Sequence, residues 1–280
     1  DYEAKGVEIL ALLAEDLRAL HGGARGALVV DLVPLASGGK SSRIRLVRSD
    51  PGAPQGLTEV AWWATQDRRD ATGAGLVLMR AERPLQDAAG TMMVVDFPVM
   101  PTPDAVEVAA GVLHFELQVW APSTRGWEGV GQGAPARAWD STRSGLLDSD
   151  LDPANTSPWD FADPASARPG LDLYPRSVRL LLTAERDATD RRPLVLAAEI
   201  GPRTTQIRVN APRSLQGVEG VKVGGEWLAV TDAGRRITSV RRGWRGTTQA
   251  IHAAGADVRF GRAFGQVVVP GPWREVATDG

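Results

Sequence analysis

The sequence predicts an α+β fold: one N-terminal helix packed on antiparallel β-sheets, followed by a small all-β module at the C-terminal end. Three observations predict it. Val7, Leu10, Leu13, Ala14, Leu17 and Leu20 recur at three- and four-residue steps. That spacing lines them up on one side of a helix, with Glu8, Glu15, Asp16 and Arg18 mostly opposite. Short β-like runs follow at fairly regular intervals. Asn210-Ala211-Pro212, with Gly217 and Gly220, then punctuates the chain ahead of a Gly-rich tail.

The helix is predicted over 1–21. Gly22-Gly23 supplies the usual glycine exit from a last turn. No Ser, Thr or Asn cap opens the apolar pattern, so the helix reads as the truncated end of a longer one. Ile9 and Leu12 lie off the main stripe and widen the apolar face beyond what one sheet requires. Val7, Ile9, Leu10, Leu12, Leu13 and Leu17 are therefore the candidate partner-binding residues.

Strands are predicted at Ala27–Leu35, Arg43–Arg48, Leu57–Thr65, Leu76–Glu82, Thr91–Phe97 and Val106–Trp120. In the last of these Leu113, Phe115, Leu117 and Val119 alternate with His114, Glu116 and Gln118, which predicts one buried and one wet face. Trp62 and Trp63 must point to opposite faces of their strand. Residues 121–172 hold many Gly, Pro, Asp and Ser and read as a long irregular insertion. Strands resume at Ser177–Ala184, Leu194–Ile200 and Thr205–Val209. Short strands then fill the tail, at Val221–Asp232, Ile237–Arg241, Asp257–Phe260 and Gly265–Val269. The predicted units are an α+β domain over 1–212 and a small β module over 213–280.

Composition narrows the function classes. A chain of 280 residues can bury a sizeable core. Lys and Arg total 32 against 34 Asp and Glu, with no basic run, which argues against nucleic-acid binding by bulk charge. Cysteine is absent, so disulfides, thiolate-zinc sites and thiol nucleophiles are excluded. There is no apolar run of about 18 residues.

Few motifs carry chemistry. Gly39-Lys40-Ser41 could end a phosphate loop, but the position where that loop needs glycine is Pro34, so the stretch reads as a turn. Asp148, Asp150 and Asp152 have the spacing of calcium ligands. Pro153 and Trp159 stand where an EF-hand needs glycine and a bidentate acid. Two readings stay open: an irregular calcium site that also uses Asn155, Asp160 or Asp163, and a solvated acidic loop. No other cofactor is expected. His21, His114 and His252 form no ligand-spaced pair. His21 suits the helix C-terminus, His114 the wet strand face, and His252 a turn beside Thr247. No Gly-x-Ser-x-Gly elbow occurs, and no Ser-His-Asp set can be nominated. Nine tryptophans are many for this length, and a carbohydrate platform is the functional alternative to packing.

Several segments together resemble a minor pseudopilin of the bacterial type II secretion system, of the J type. They are the helix ending Leu-Ala-Glu-Asp-Leu-Arg-Ala-Leu, the strand Arg43–Arg48, the strand–turn–strand Leu57–Arg83, the strand Gly111–Leu117 leading to Trp120 and Trp127, and Leu173–Leu180. They span roughly two-thirds of the chain. Residues 218–260 resemble a small β module of prepilin-like and phage structural proteins, through Gly-Gly-Glu-Trp-Leu at 224–228, Arg242-Gly243, Gly246-Thr247 and His252 to Val258. No chemistry is attached to that module.

The resemblance implies a non-enzymatic structural subunit of the pseudopilus tip complex. Such a subunit packs on other minor pseudopilins through its N-terminal helix. It is anchored in the inner membrane by a segment ahead of Asp1 and carries its soluble domain in the periplasm. A minor pilin of a type IV pilus is the same-class alternative. An exported carbohydrate-binding or hydrolytic β-protein, built on the Trp- and Asp-rich loop, is the other.

Overall fold

A computed structural model describes residues 2–22, 28–85, 105–121, 126–128, 138–141, 145–147, 174–186 and 193–271. The chain opens with α1 (Tyr2–Arg18), then the strands β1 (Leu28–Pro34), β2 (Lys40–Ser49), β3 (Leu57–Gln66), β4 (Leu76–Pro84) and β5 (Ala105–Ala121). Short strands β6 (Gly126–Glu128), β7 (Ala138–Asp140) and β8 (Gly145–Leu147) precede β9 (Val178–Glu185). Then come β10 (Gln206–Ile207), β11 (Gly220–Val223), β12 (Glu226–Ala233), β13 (Thr238–Trp244) and β14 (Gly261–Val268).

The α+β expectation is overturned: among the described residues the protein is 52% strand and 10% helix, and its main body is an antiparallel sheet curled into a half-barrel. The sheet runs β14-β9-β5-β4-β3-β2-β1-β7-β8, with β6 paired to β5. Its strands are long enough to bend over their own core. Register shifts between β4 and β5, and between Val112 and His114 where β5 meets β9, add the twist that curling requires. Gly111 sits at this irregularity with φ of 69°, a value glycine adopts without strain. Residues 126–128, 138–140 and 145–147, inside the stretch predicted to be irregular, are strands of this sheet.

α1 fills the concave side rather than forming a layer of its own. Its side chains Ile9, Leu10, Leu13, Ala14 and Leu17 join Ile44, Trp62, Phe115, Leu180 and Val268 in one core. Gly6 permits the closest approach, since a Cβ there would lie 2.5 Å from the Phe264 ring.

A second, smaller core gathers Leu196, Ile200, Ile207, Val209, Leu215, Val221, Leu228, Val240 and Val258 around the sheet β10-β13-β12-β11. The predicted boundary at 213 falls inside this unit, because Leu196 to Val209 already pack in it. β14 leaves the unit and pairs with β9 from Gly261 opposite Glu185 to Val268 opposite Val178. The small module is thus inserted between two adjacent strands of the large sheet. It folds back onto that sheet so closely that a Cβ at Gly225 would clash with the Ser37 carbonyl oxygen.

Candidate functional site

Three places in the fold gather chemistry: the helix and its clamp, the seam under the small module, and a crevice beside that seam.

The helix comes first because the sequence nominated it. Ile9 is 4% exposed, and Leu10, Leu13 and Leu17 are buried with it, so these four nominated residues are core. Val7, placed on the inner stripe by the sequence, is 60% exposed, and Leu12 is 38% exposed. The two border the solvent arc of α1, with Glu8, Ala11 and Glu15 exposed between them. Asp16, expected on the wet side, is fully buried. Its carboxylate accepts from Trp62 Nε1 at 2.8 Å, from Arg48 Nη1 at 3.0 Å, and from Arg80 Nε and Nη2 at 3.1 Å each. Glu82 also binds both guanidiniums, through Nη2 of each, at 3.2 Å from Arg48 and 2.7 Å from Arg80. Burial lowers the Arg80 pKa, and the Asp16 and Glu82 carboxylates outweigh it and raise it overall. One helical carboxylate thus ties α1 to β2, β3 and β4.

The seam was not anticipated. His114 and Glu116, predicted to be wet, are 6% and 4% exposed because the small module covers them. His114 Nε2 lies 3.0 Å from Glu116 Oε2, and its ring meets Trp227 edge-on at 6.0 Å. Burial, with the Arg245 charge, pushes the His114 pKa down to about 4, so its imidazole is neutral at pH 7. Lys222 reaches from β11 into the large sheet and donates from Nζ to the Ala74 carbonyl at 2.6 Å and the Leu113 carbonyl at 3.1 Å. Burial and the nearby Arg259 lower its pKa to about 8. Arg259 donates to Asp70 Oδ2 and pairs with Glu185 Oε1 at 2.8 Å.

Within the module, Glu226 accepts from Arg242 Nε at 2.7 Å and Nη2 at 2.6 Å. It also accepts from the Gly243 and Ala250 N–H groups and meets His252 Nε2 at 2.9 Å. Burial pushes this carboxyl's pKa up, and the donors outweigh it and hold it at about 2. His252 was expected beside Thr247. It serves Glu226 instead, while Thr247 Oγ1 accepts from Trp227 N–H and donates to the Trp244 carbonyl.

The crevice lies between β9, β14 and the module. It consists of two cavities of about 350 and 230 Å³ that share Thr183, Trp244, Arg245 and Ala263. The Arg245 guanidinium lies 4.2 Å over the Trp227 ring and 4.4 Å over Trp244, and donates from Nη1 to Thr183 Oγ1 at 2.9 Å. Burial pulls its pKa down to about 10, which leaves it charged at neutral pH.

Sequence reasoning missed Asp16, Lys222 and Arg245. The available signals were a charged residue inside an apolar period, a lysine between Val221 and Val223, and an arginine in a Trp-Arg-Gly turn. Asp148, Asp150 and Asp152 lie outside the described residues. Among the described residues no group of three His, Asp or Glu side chains could hold a metal ion. Among the described residues, Trp62 and Trp139 are buried, and Trp127 lies under Arg179 and edge-on to Trp120. Among the described residues no helix is long and apolar enough to cross a membrane. Comparison of the chain with protein-family models and with curated proteins finds no match to either.

Proposed function

We propose that this protein is a non-enzymatic structural subunit that assembles with partner subunits through the outer arc of α1. The specific form we propose is a minor pseudopilin of the tip complex in type II secretion. The strand and helix segments that resemble that family support the specific form. The mostly β body means the reading leans on those segments and on the helix, not on fold class.

The observation that carries the reading is the division of α1 into two sides. The inner side is core and is clamped at Asp16. The outer arc keeps Val7 and Leu12 in solvent with small Ala11 beside them. A helix fixed this firmly can carry position from its neighbours to the β body. Exposed apolar and small side chains allow another helix to approach closely. The reading places the body in the periplasm and requires an inner-membrane anchor ahead of Asp1.

The test is a double substitution, Val7→Glu with Leu12→Glu. The variant should melt within about 2 °C of wild type, since exposed changes cost about 0.5 kcal/mol or less. It should no longer co-purify with the other minor pseudopilins of the same secretion system. Wild-type co-purification by that variant overturns the assembly reading. Ile9→Glu is the contrast and should unfold the domain.

A further inference from the structure

We propose that the crevice beside the small module is a binding site for a carboxylate group, with Arg245 and Arg186 as the cations that receive it. The site does not involve α1, so it stands or falls separately from the assembly reading.

Size comes first. The two cavities join at Arg245, and the larger, at about 350 Å³, is within the range of small-ligand pockets. Charge comes next. Arg186, Arg245 and Arg262 stand in the walls of the larger cavity against the single acid Glu219. Glu116, in the smaller cavity, is already engaged by His114 and by Gln118 Nε2 at 2.9 Å.

Arg245 is the central group. A guanidinium has five N–H donors, and among the described residues this one uses a single donor, on the Thr183 hydroxyl. No carboxylate among the described residues lies within ion-pair distance of it. Two indole rings hold it in place, so its remaining donors are pre-ordered. Its backbone has φ of 56°, the one positive value among described non-glycine residues. Strain of that kind collects where a side chain is held for a purpose.

The planar fork matches a carboxylate in bidentate fashion. A monoanion suits one free guanidinium with an exposed Arg186 at the rim. A doubly charged phosphate against Glu219 suits the site less well. The carboxylate can come from a free small acid or from a Glu or Asp side chain of a partner peptide.

The test is calorimetric titration of the full chain, with the Trp244 indole N–H followed by NMR. The probes are glutarate, glutaramide, inorganic phosphate, acetyl-Gly-Glu-Gly-amide and its Gln counterpart. Glutarate or the Glu peptide should saturate and shift the Trp244 signal, while the two amide controls should not. The tighter of the two carboxylate probes identifies the source. Arg245→Lys keeps the charge but loses the fork and should weaken binding about ten-fold. Arg186→Ala changes an exposed residue, keeps the fold, and should weaken binding about three-fold. The proposal is overturned if neither carboxylate saturates below about 20 mM. Equal binding of the amides, tighter binding of phosphate, or an unchanged affinity in Arg186→Ala also overturns it.

Discussion

The two faces of the large sheet each bury a polar cluster, and the clusters are centred on groups of opposite charge. On the concave side the central group is an anion. Asp16 receives two guanidiniums and an indole N–H, and Glu82 also binds both arginines. On the convex side two cations meet neutral acceptors, and the buried Glu116 is engaged by His114 and Gln118. Lys222 meets two carbonyl oxygens, Arg245 meets a hydroxyl, and the nearby imidazole is neutral. The first cluster fixes the helix to three strands. The second joins module to sheet while leaving Arg245, among the described residues, with a single hydrogen bond from its guanidinium. One face is built to hold geometry, and the other keeps capacity for a ligand.

The sharpest way to break this comparison is Asp16→Ala. It leaves Arg48, Arg80 and the Trp62 N–H without their shared acceptor in a dry site. Losing one partner of a buried ionic network costs about 4 kcal/mol. Thermal melting should fall by roughly 10 °C. A loss near zero would mean that water or Glu82 takes over, and that the helix is held by apolar packing alone.

Acid should damage the module side first. The His114 pKa is about 4 in the fold against 6.5 when unfolded, so the unfolded chain binds the proton first as pH falls. Stability therefore declines between pH 6.5 and 4, by about 3 kcal/mol in total. Glu226 runs on a separate window: its pKa of about 2 sits below the ordinary 4.5, so its contribution is lost only as pH falls from 4.5 to 2. Urea midpoints across pH should show two stages, and His114→Gln should remove the upper one. On the alkaline side the sign is the same, since this group's pKa is also lower in the fold. Lys222 has a pKa of about 8 in the fold against 10.5 unfolded. Its share of the stability rises between those values, as the buried amine sheds its proton before the unfolded chain does. A neutral amine still donates to Ala74 and Leu113, so both contacts survive. Lys222→Met should flatten that alkaline rise.

What could be read from the sequence follows from what periodicity reports. The helix was legible because its apolar residues repeat at the helical period. The borders of its buried stripe were not. Val7 and Ile9 are equally apolar, and Asp16 looks like a surface charge until Trp62 and two arginines are brought to it from strands far along the chain. The alternation of β5 was also legible, with Phe115 and Leu117 inward and His114 and Glu116 on the other face. Alternation shows which face is polar, not whether something covers it. The cover comes from an insertion whose return strand, β14, pairs with β9, and that pairing leaves no local mark in the chain. Fold class failed for the same reason. A helix and a run of strands read as two layers, while the curl that lets the sheet enclose the helix arises from register shifts between strands.

The smallest expected effect sharpens the comparison most finely. Glu82 binds the same two guanidiniums as Asp16 but stands in solvent, its side chain 47% exposed. If the clamp draws its strength from ion pairing as such, Glu82→Gln should weaken the protein nearly as much as loss of Asp16. If burial decides, water replaces the lost charge at the rim, and the cost is about 0.5 kcal/mol. We expect the second result, with a melting shift of roughly 1–2 °C that shrinks in high salt as surface pairs are screened. The double variant Asp16→Ala with Glu82→Gln completes the cycle. Both carboxylates hold one pair of arginines, so the double loss should differ from the sum of the single losses. Simple additivity would mean that the two acids act on the arginines independently, and that the clamp is two separate pairs rather than one network.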